Sequence, residues 1–455
     1  MSNLFYQQKH IADTISEEES GKAYAYAKGY MDFLNAGKTE RECVAYAVKA
    51  AEERGFVEYK FGMELHAGDK IYKNNRGKSF ILAVIGSESL ENGCNIAGAH
   101  IDSPRLDLKQ LPFYEDSEMA MLKTHYYGGI KKYQWMTIPL ALHGVVVKAS
   151  GELVDINIGE SDDDPIFMVS DLLPHLAGDQ MKKSAAELFS GENLNIFFGS
   201  TPVKDGDNRF KTKVLELLNE KYGICEEDFI SAEVCAVPAF KARFAGLDKS
   251  LIGSYGHDDR SCAYAEMSAI FDIETPKRTA VCILADKEEV GSDGVTGSQC
   301  SYFEDFMNDL CQTQGICVRH CFEKSFCLSA DVCNAFDPNF PEVSEKRNNA
   351  KVNYGMGILK FTGSRGKSGS SDASAEIIAM LRRIFAENGV TWQMAELGKV
   401  DQGGGGTIAK FMANRNIDTI DAGVPVISMH APYETVSVYD CYMTYKGVKA
   451  IYDVR

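Results

Sequence analysis

Cys94-Asn-Ile-Ala-Gly-Ala-His-Ile-Asp-Ser-Pro-Arg-Leu106 decides the fold class. A largely apolar run from Cys94 to Ala99 stops at His100, and polar and turn-forming residues follow. Short apolar runs bounded by turns fit buried strands of a mixed or parallel sheet, which is covered on both faces. The same texture occurs upstream, where Phe80 to Ile85 runs into Gly86. It returns downstream at Thr279 to Ala285, Phe326 to Ala330 and Val424 to Met429. Helical patterns lie between the later runs. Ser301 to Cys311 is one, and a second carries Ile377, Ile378, Leu381, Ile384 and Phe385. Ser371 or Asp372 is placed to cap that second helix, and Asn388-Gly389 closes it. A last helix is expected from about Ser437 to the end. Strand and helix alternation of this kind predicts an α/β domain.

Outside those segments the texture changes. The first 55 residues read as helices, with capping boxes at Ser16/Glu19 and Thr39/Glu42 and a terminating Gly55. Between Leu106 and Leu251 the pattern is β-rich. Val145-Val-Val147 and Leu153-Val-Asp-Ile-Asn-Ile158 flank a turn at Ala149-Ser-Gly151, which is a hairpin signal. The acidic stretches after Gly159 and Val203 read as solvated loops. The expected organisation is a catalytic domain in two segments, 1–105 and 251–455, interrupted by a β-rich domain at 106–250.

Composition bounds the function. The chain has 455 residues, 45% hydrophobic and 25% charged, which suits a globular protein of two or three domains with a core deep enough for a buried site. The formal charge of −17 argues against nucleic acid or an anionic membrane as partner, since both require a basic footprint. No signal peptide or membrane span is legible, and thirteen cysteines without a Cys-x-x-Cys pair read as reduced thiols of a cytoplasmic protein.

Five acid or histidine positions fall where strands are expected to end: His100, Asp258, Glu289, Asp331 and His430. Ligands of open α/β sheets bind outside the carboxyl ends of strands. Histidine nitrogen and carboxylate oxygen suit zinc, and two such ions sit about 3.5–4 Å apart in dinuclear sites. His100 and Asp102 are two apart on an extended chain, so both side chains point the same way. One can bind metal while the other orients a partner. In Asp286-Lys-Glu-Glu-Val-Gly291, Glu289 can bind metal and Glu288 can serve as general base. Asp258-Asp259 offers either a bridging carboxylate or a helix cap balanced by Arg260. Gly363-Ser-Arg-Gly-Lys-Ser368 is too short between its glycines to be a phosphate loop. Gly403 to Gly406 lacks the spacing of a dinucleotide fingerprint.

Taken in order, five segments resemble the aspartyl aminopeptidase family. They are Gly98-Ala-His-Ile-Asp-Ser-Pro-Arg-Leu106, the Asp258-Asp-Arg260 turn, Glu288-Glu-Val-Gly-Ser292, Ser329-Ala-Asp331, and Asp421-Ala-Gly-Val-Pro-Val-Ile-Ser-Met-His430. The resemblance implies a phosphorylase/hydrolase-like mixed-sheet α/β catalytic domain with an inserted β-rich dimerisation domain. It also implies a tetrahedral dodecamer, peptide substrates, and two divalent ions per subunit, zinc with cobalt or manganese as alternatives. In that reading Asp258 bridges the ions, His100 and Asp331 hold one, and Glu289 and His430 hold the other. Glu288 is the base and Asp102 is its support.

The chain departs from the family pattern where histidines often stand. Asn334 and Asp337 follow the Ser-Ala-Asp aspartate, and Asp179 follows Leu173-Pro-His-Leu-Ala177. Lys351, in Lys351-Val-Asn353, is the residue expected to pair with an acidic substrate side chain, whereas extra carboxylates near a pocket would repel one. The expected activity is therefore metal-dependent removal of N-terminal residues from peptides, with the preference for acidic ones left open. The competing readings are a dinuclear metal deacylase acting on N-acylated small molecules and a non-catalytic shell-forming protein.

Overall fold

The computed structural model describes residues 4–454 of the chain. Two compact units are distinguished, one comprising residues up to 102, 242–429 and 434 onward, the other 103–241 with 430–433.

The first unit is built on a nine-stranded mixed sheet. Its centre is three adjacent parallel pairings: Ala280–Ala285 beside Asn95–His100, then Phe326–Ser329, then Asp418–Gly423. All six residues of Asn95–His100 and of Ala280–Ala285 are buried, which explains why neither strand alternates in polarity. Helices cover both faces. Ala23, Ala27, Tyr30, Phe33 and Leu34 of the Glu17–Ala36 helix join one core with Ala97 and Ala99. Phe303, Phe306, Met307 and Leu310 of the Tyr302–Thr313 helix join the other with Ile96 and Ile283. A five-stranded sheet completes this unit, with Leu251–Ser254 pairing Glu434–Ser437 in antiparallel fashion.

Helix ends follow local chemistry. Thr39 closes a full capping box, its hydroxyl accepting from Glu42 N while the Glu42 carboxylate accepts from Thr39 N at 3.0 Å. Thr39→Ala is expected to cost about 0.5–2 kcal/mol, read as a lower unfolding midpoint with unchanged secondary structure. The helix expected near Ser371 begins later, at Ala375, and its cap is Ser374, whose hydroxyl accepts from Ile377 N. Asp372 is engaged elsewhere: Lys360 and Lys367 hold its two oxygens at 2.7 and 2.9 Å. The last helix starts as expected, with Ser437 as its cap.

The second unit is a seven-stranded sheet of antiparallel pairs with one longer helix, Arg209–Tyr222. The expected hairpin is present, Leu140–Val147 pairing Leu153–Ile158. The turn-rich stretch after Gly159 is organised by Asp164, whose carboxylate accepts from the backbone N–H of Gly159 and Ser161. Among the described residues no helix is long and apolar enough to cross a membrane.

Candidate active site

The parallel centre of the large sheet delivers chemistry to one edge. His100 ends its strand in register with Ala285, and the chain then turns into Asp286-Lys-Glu-Glu. On the other side Ser329 pairs with Gly98, so Asp331 emerges beside His100. Strands of equal direction and matched register therefore bring three sequence-distant segments to a common carboxyl edge.

Asp258 arrives from a different direction, at the start of the His257–Phe271 helix. Its peptide bond to Asp259 is cis, and its backbone N–H donates to Glu434 Oε2 at 3.1 Å. The preceding histidine is not a ligand candidate. His257 is buried between the Tyr30 hydroxyl (2.7 Å) and the Ile252 carbonyl (3.0 Å), and burial pushes its pKa down to about 3.

His100 is the hub. Its Nε2 lies 3.1 Å from Asp258 Oδ1, and its Nδ1 lies 3.0 Å from the Asp102 carbonyl and 3.3 Å from Asp102 Oδ1. Two overlapping groups of donors surround it, His100 with Asp258 and Glu289, and His100 with Asp259 and Asp331. Within each group, ligand atoms lie within 4.8 Å of one another. Burial works against protonation of His100, but the Asp102 and Asp258 carboxylates beside it hold its pKa well above the ordinary value. Burial also pushes Asp259 and Asp331 well above the carboxylate range, with Asp258 adding to the repulsion on both and His100 opposing it. So many carboxylates around one imidazole is an arrangement a divalent cation relieves. One nitrogen and several oxygen donors suit zinc.

Asp102 organises the turn that carries the two glutamates. Its Oδ1 accepts from Glu288 N at 3.1 Å and its Oδ2 from Glu289 N at 3.2 Å. The same carboxylate thus orients the His100 ring and fixes the Glu288-Glu289 backbone, a wider role than the histidine partner read from spacing.

The remaining expected residues lie as follows. His430 is in neither donor group, and its Nδ1 lies 2.9 Å from the Gly129 carbonyl. Lys351 is exposed, with Nζ 5.4 Å from the Tyr354 ring centroid. Asn334 bonds to Asn349, Asp337 accepts from Asn339 N at 2.8 Å, and exposed Asp179 pairs with Lys182 at 2.8 Å. Asp259 and Glu434 are buried acids to which the sequence assigned no role of their own. Asp259 was signalled only by its adjacency to Asp258. Glu434, in a strand of ordinary composition, carried no local signal at all.

Comparison with known proteins identifies a family. A family model described as "Aminopeptidase I zinc metalloprotease (M18)" matches residues 33–452. The Clostridium acetobutylicum protein named "Probable M18 family aminopeptidase 1" is 50% identical over 459 residues, covering 99% of each chain. The crystal structure of an M18-family aminopeptidase from Thermotoga maritima is 41% identical with a TM-score of 0.95, covering 99% of this chain and 100% of that one. Aminopeptidase I from Clostridium acetobutylicum is 48% identical with a TM-score of 0.93, at the same coverage. With nearly its whole length matched in sequence and in fold, and with zinc-type donors gathered at the sheet edge, this chain belongs to the M18 family of zinc aminopeptidases.

Proposed function

We propose that this metal-dependent aminopeptidase works with two divalent ions, zinc in preference to cobalt or manganese. The observation that carries this reading is the pair of overlapping donor groups centred on His100. His100 and Asp331 would hold one ion, Glu289 and His430 the other, and Asp258 would bridge them. The part given to His430 and the bridging part given to Asp258 rest on the family resemblance. The chemistry supplied by bound zinc is Lewis acidity, which polarises the scissile carbonyl and makes water a nucleophile near neutral pH.

The chain's own residues do the rest. Glu288 takes the proton of the attacking water and passes it to the leaving amine nitrogen, restoring its carboxylate. Asp102 holds Glu288 in place through the backbone bond described above and keeps the His100 ring oriented. The double use of one carboxylate couples base position to ligand position. Lys351 is proposed to pair with an acidic side chain at the substrate's N-terminus.

The catalytic unit is proposed to be phosphorylase/hydrolase-like, interrupted by the β-rich unit as a dimerisation domain within a tetrahedral cytoplasmic dodecamer. Apolar side chains left exposed at Ile166, Leu172, Leu173, Leu176 and Met181 support a subunit contact on the β-rich unit.

The deciding assay compares free with N-acetylated peptides, and Asp or Glu with Leu or Met at the N-terminus. Free peptides are expected to be cleaved and blocked ones spared. Hydrolysis of only the blocked peptides would establish the deacylase instead. If acidic residues are the poorest substrates, the role proposed for Lys351 is wrong.

A further inference from the structure

One helix grips the strand end that carries His100. The backbone N–H of Ala99 donates to Glu266 Oε1 at 3.0 Å, and that of His100 to Asp259 Oδ2 at 3.3 Å. Arg260 Nε donates to the Ile101 carbonyl at 3.3 Å, while its Nη2 reaches the Lys38 carbonyl at 2.9 Å. Three consecutive residues of the strand end are thus held by three buried, ionisable side chains of the His257–Phe271 helix.

The sheet itself explains why such a grip is useful. On one side the strand's ladder with Phe326–Ser329 stops at Gly98. His100 must nevertheless be held firmly enough to present a ring nitrogen at a defined point. Asp259 takes the backbone N–H that the missing strand residue would have taken. Glu266, two turns further along the helix, is fully buried against the neighbouring residue. A carboxyl group buried in an apolar core is costly, so a helix position that faces the sheet would ordinarily hold an aliphatic residue.

We infer that Glu266 is a positioning residue for the metal ligand His100, acting through the Ala99 peptide without touching metal or substrate. The inference rests on the reading of His100 as a ligand. Only an acceptor oxygen is required at this position, so glutamine can replace glutamate, whereas leucine cannot. Leucine would remove a buried polar group from the core without leaving a charge behind.

The test measures zinc affinity by chelator competition, and thermal unfolding in excess chelator, for Glu266→Leu, Glu266→Gln and His100→Ala in the full chain. Glu266→Leu is expected to weaken zinc binding about 10–100-fold, the range seen when support behind a ligand is lost. Its metal-free unfolding temperature is expected to stay level or rise. Glu266→Gln is expected to match the unaltered protein in both measurements. Glu266→Met, also without an acceptor oxygen, carries the same expectation and serves if the leucine variant does not fold. A Leu or Met variant with unaltered zinc affinity, while His100→Ala has lost it, overturns the positioning role alone. So does a loss of affinity matched by an equal loss of metal-free stability, or a glutamine variant that behaves like leucine. Unaltered zinc affinity in His100→Ala overturns the ligand reading and the positioning role together.

Discussion

Glu288→Gln is expected to lower kcat about 10²–10⁴-fold while zinc content stays at the level of the unaltered protein. The amide occupies the same volume and leaves the Glu288 N to Asp102 Oδ1 bond in place, because that bond uses only the backbone. What is lost is a group able to take a proton from water and return it to the departing amine. Neither the donor atoms of His100, Asp258, Glu289 and Asp331 nor the fold should change. Metal analysis alongside steady-state kinetics checks both parts. Unchanged turnover would remove Glu288 from the mechanism. Turnover lost together with zinc would mean that this side chain holds metal rather than moving protons.

His100→Ala is the second large effect. His100 belongs to both donor groups, so its loss takes a donor from each of them at once. Losing only the support behind a ligand costs about 10–100-fold in metal affinity, so losing the ligand itself should exceed about 100-fold. Exhaustive chelation of the unaltered protein is expected to abolish turnover, and added zinc to restore it. Chelation should also lower the unfolding midpoint. A ligand present at about 100 times its dissociation constant stabilises the folded state by about 2.7 kcal/mol, and that contribution is withdrawn. A His100→Ala protein that keeps its zinc and its activity would refute the proposed centre.

These two residues differ in how they could be found. His100 and Asp102 were legible because a continuous apolar run ends at a polar residue and because alternation along extended chain puts both side chains on one face. Glu288 and Glu289 were legible as adjacent acids just after another such run. Capping at Ser16 and Thr39 was legible too, since a cap depends on residues within one turn. Where several polar residues compete, local reading slips. The helix after Gly369 begins at Ala375 and is capped by Ser374, while Lys360 and Lys367 pair with Asp372.

The contacts that fix the centre from behind were not legible. Glu266 meets Ala99 across 167 positions of chain, Glu434 meets Asp258 across 176, and Asp102 meets Glu288 across 186. No spacing rule spans such intervals. What the sequence alone determined was the central buried strands, several of the helices with their local caps, and the residue types able to carry metal chemistry, because hydrophobic periodicity and capping act over a few residues. Which acids meet at His100, and which of them hold its backbone rather than face the site, was decided by parallel register and helix placement. Those are set by long-range packing, where the partners of a buried polar group are chosen by the whole fold.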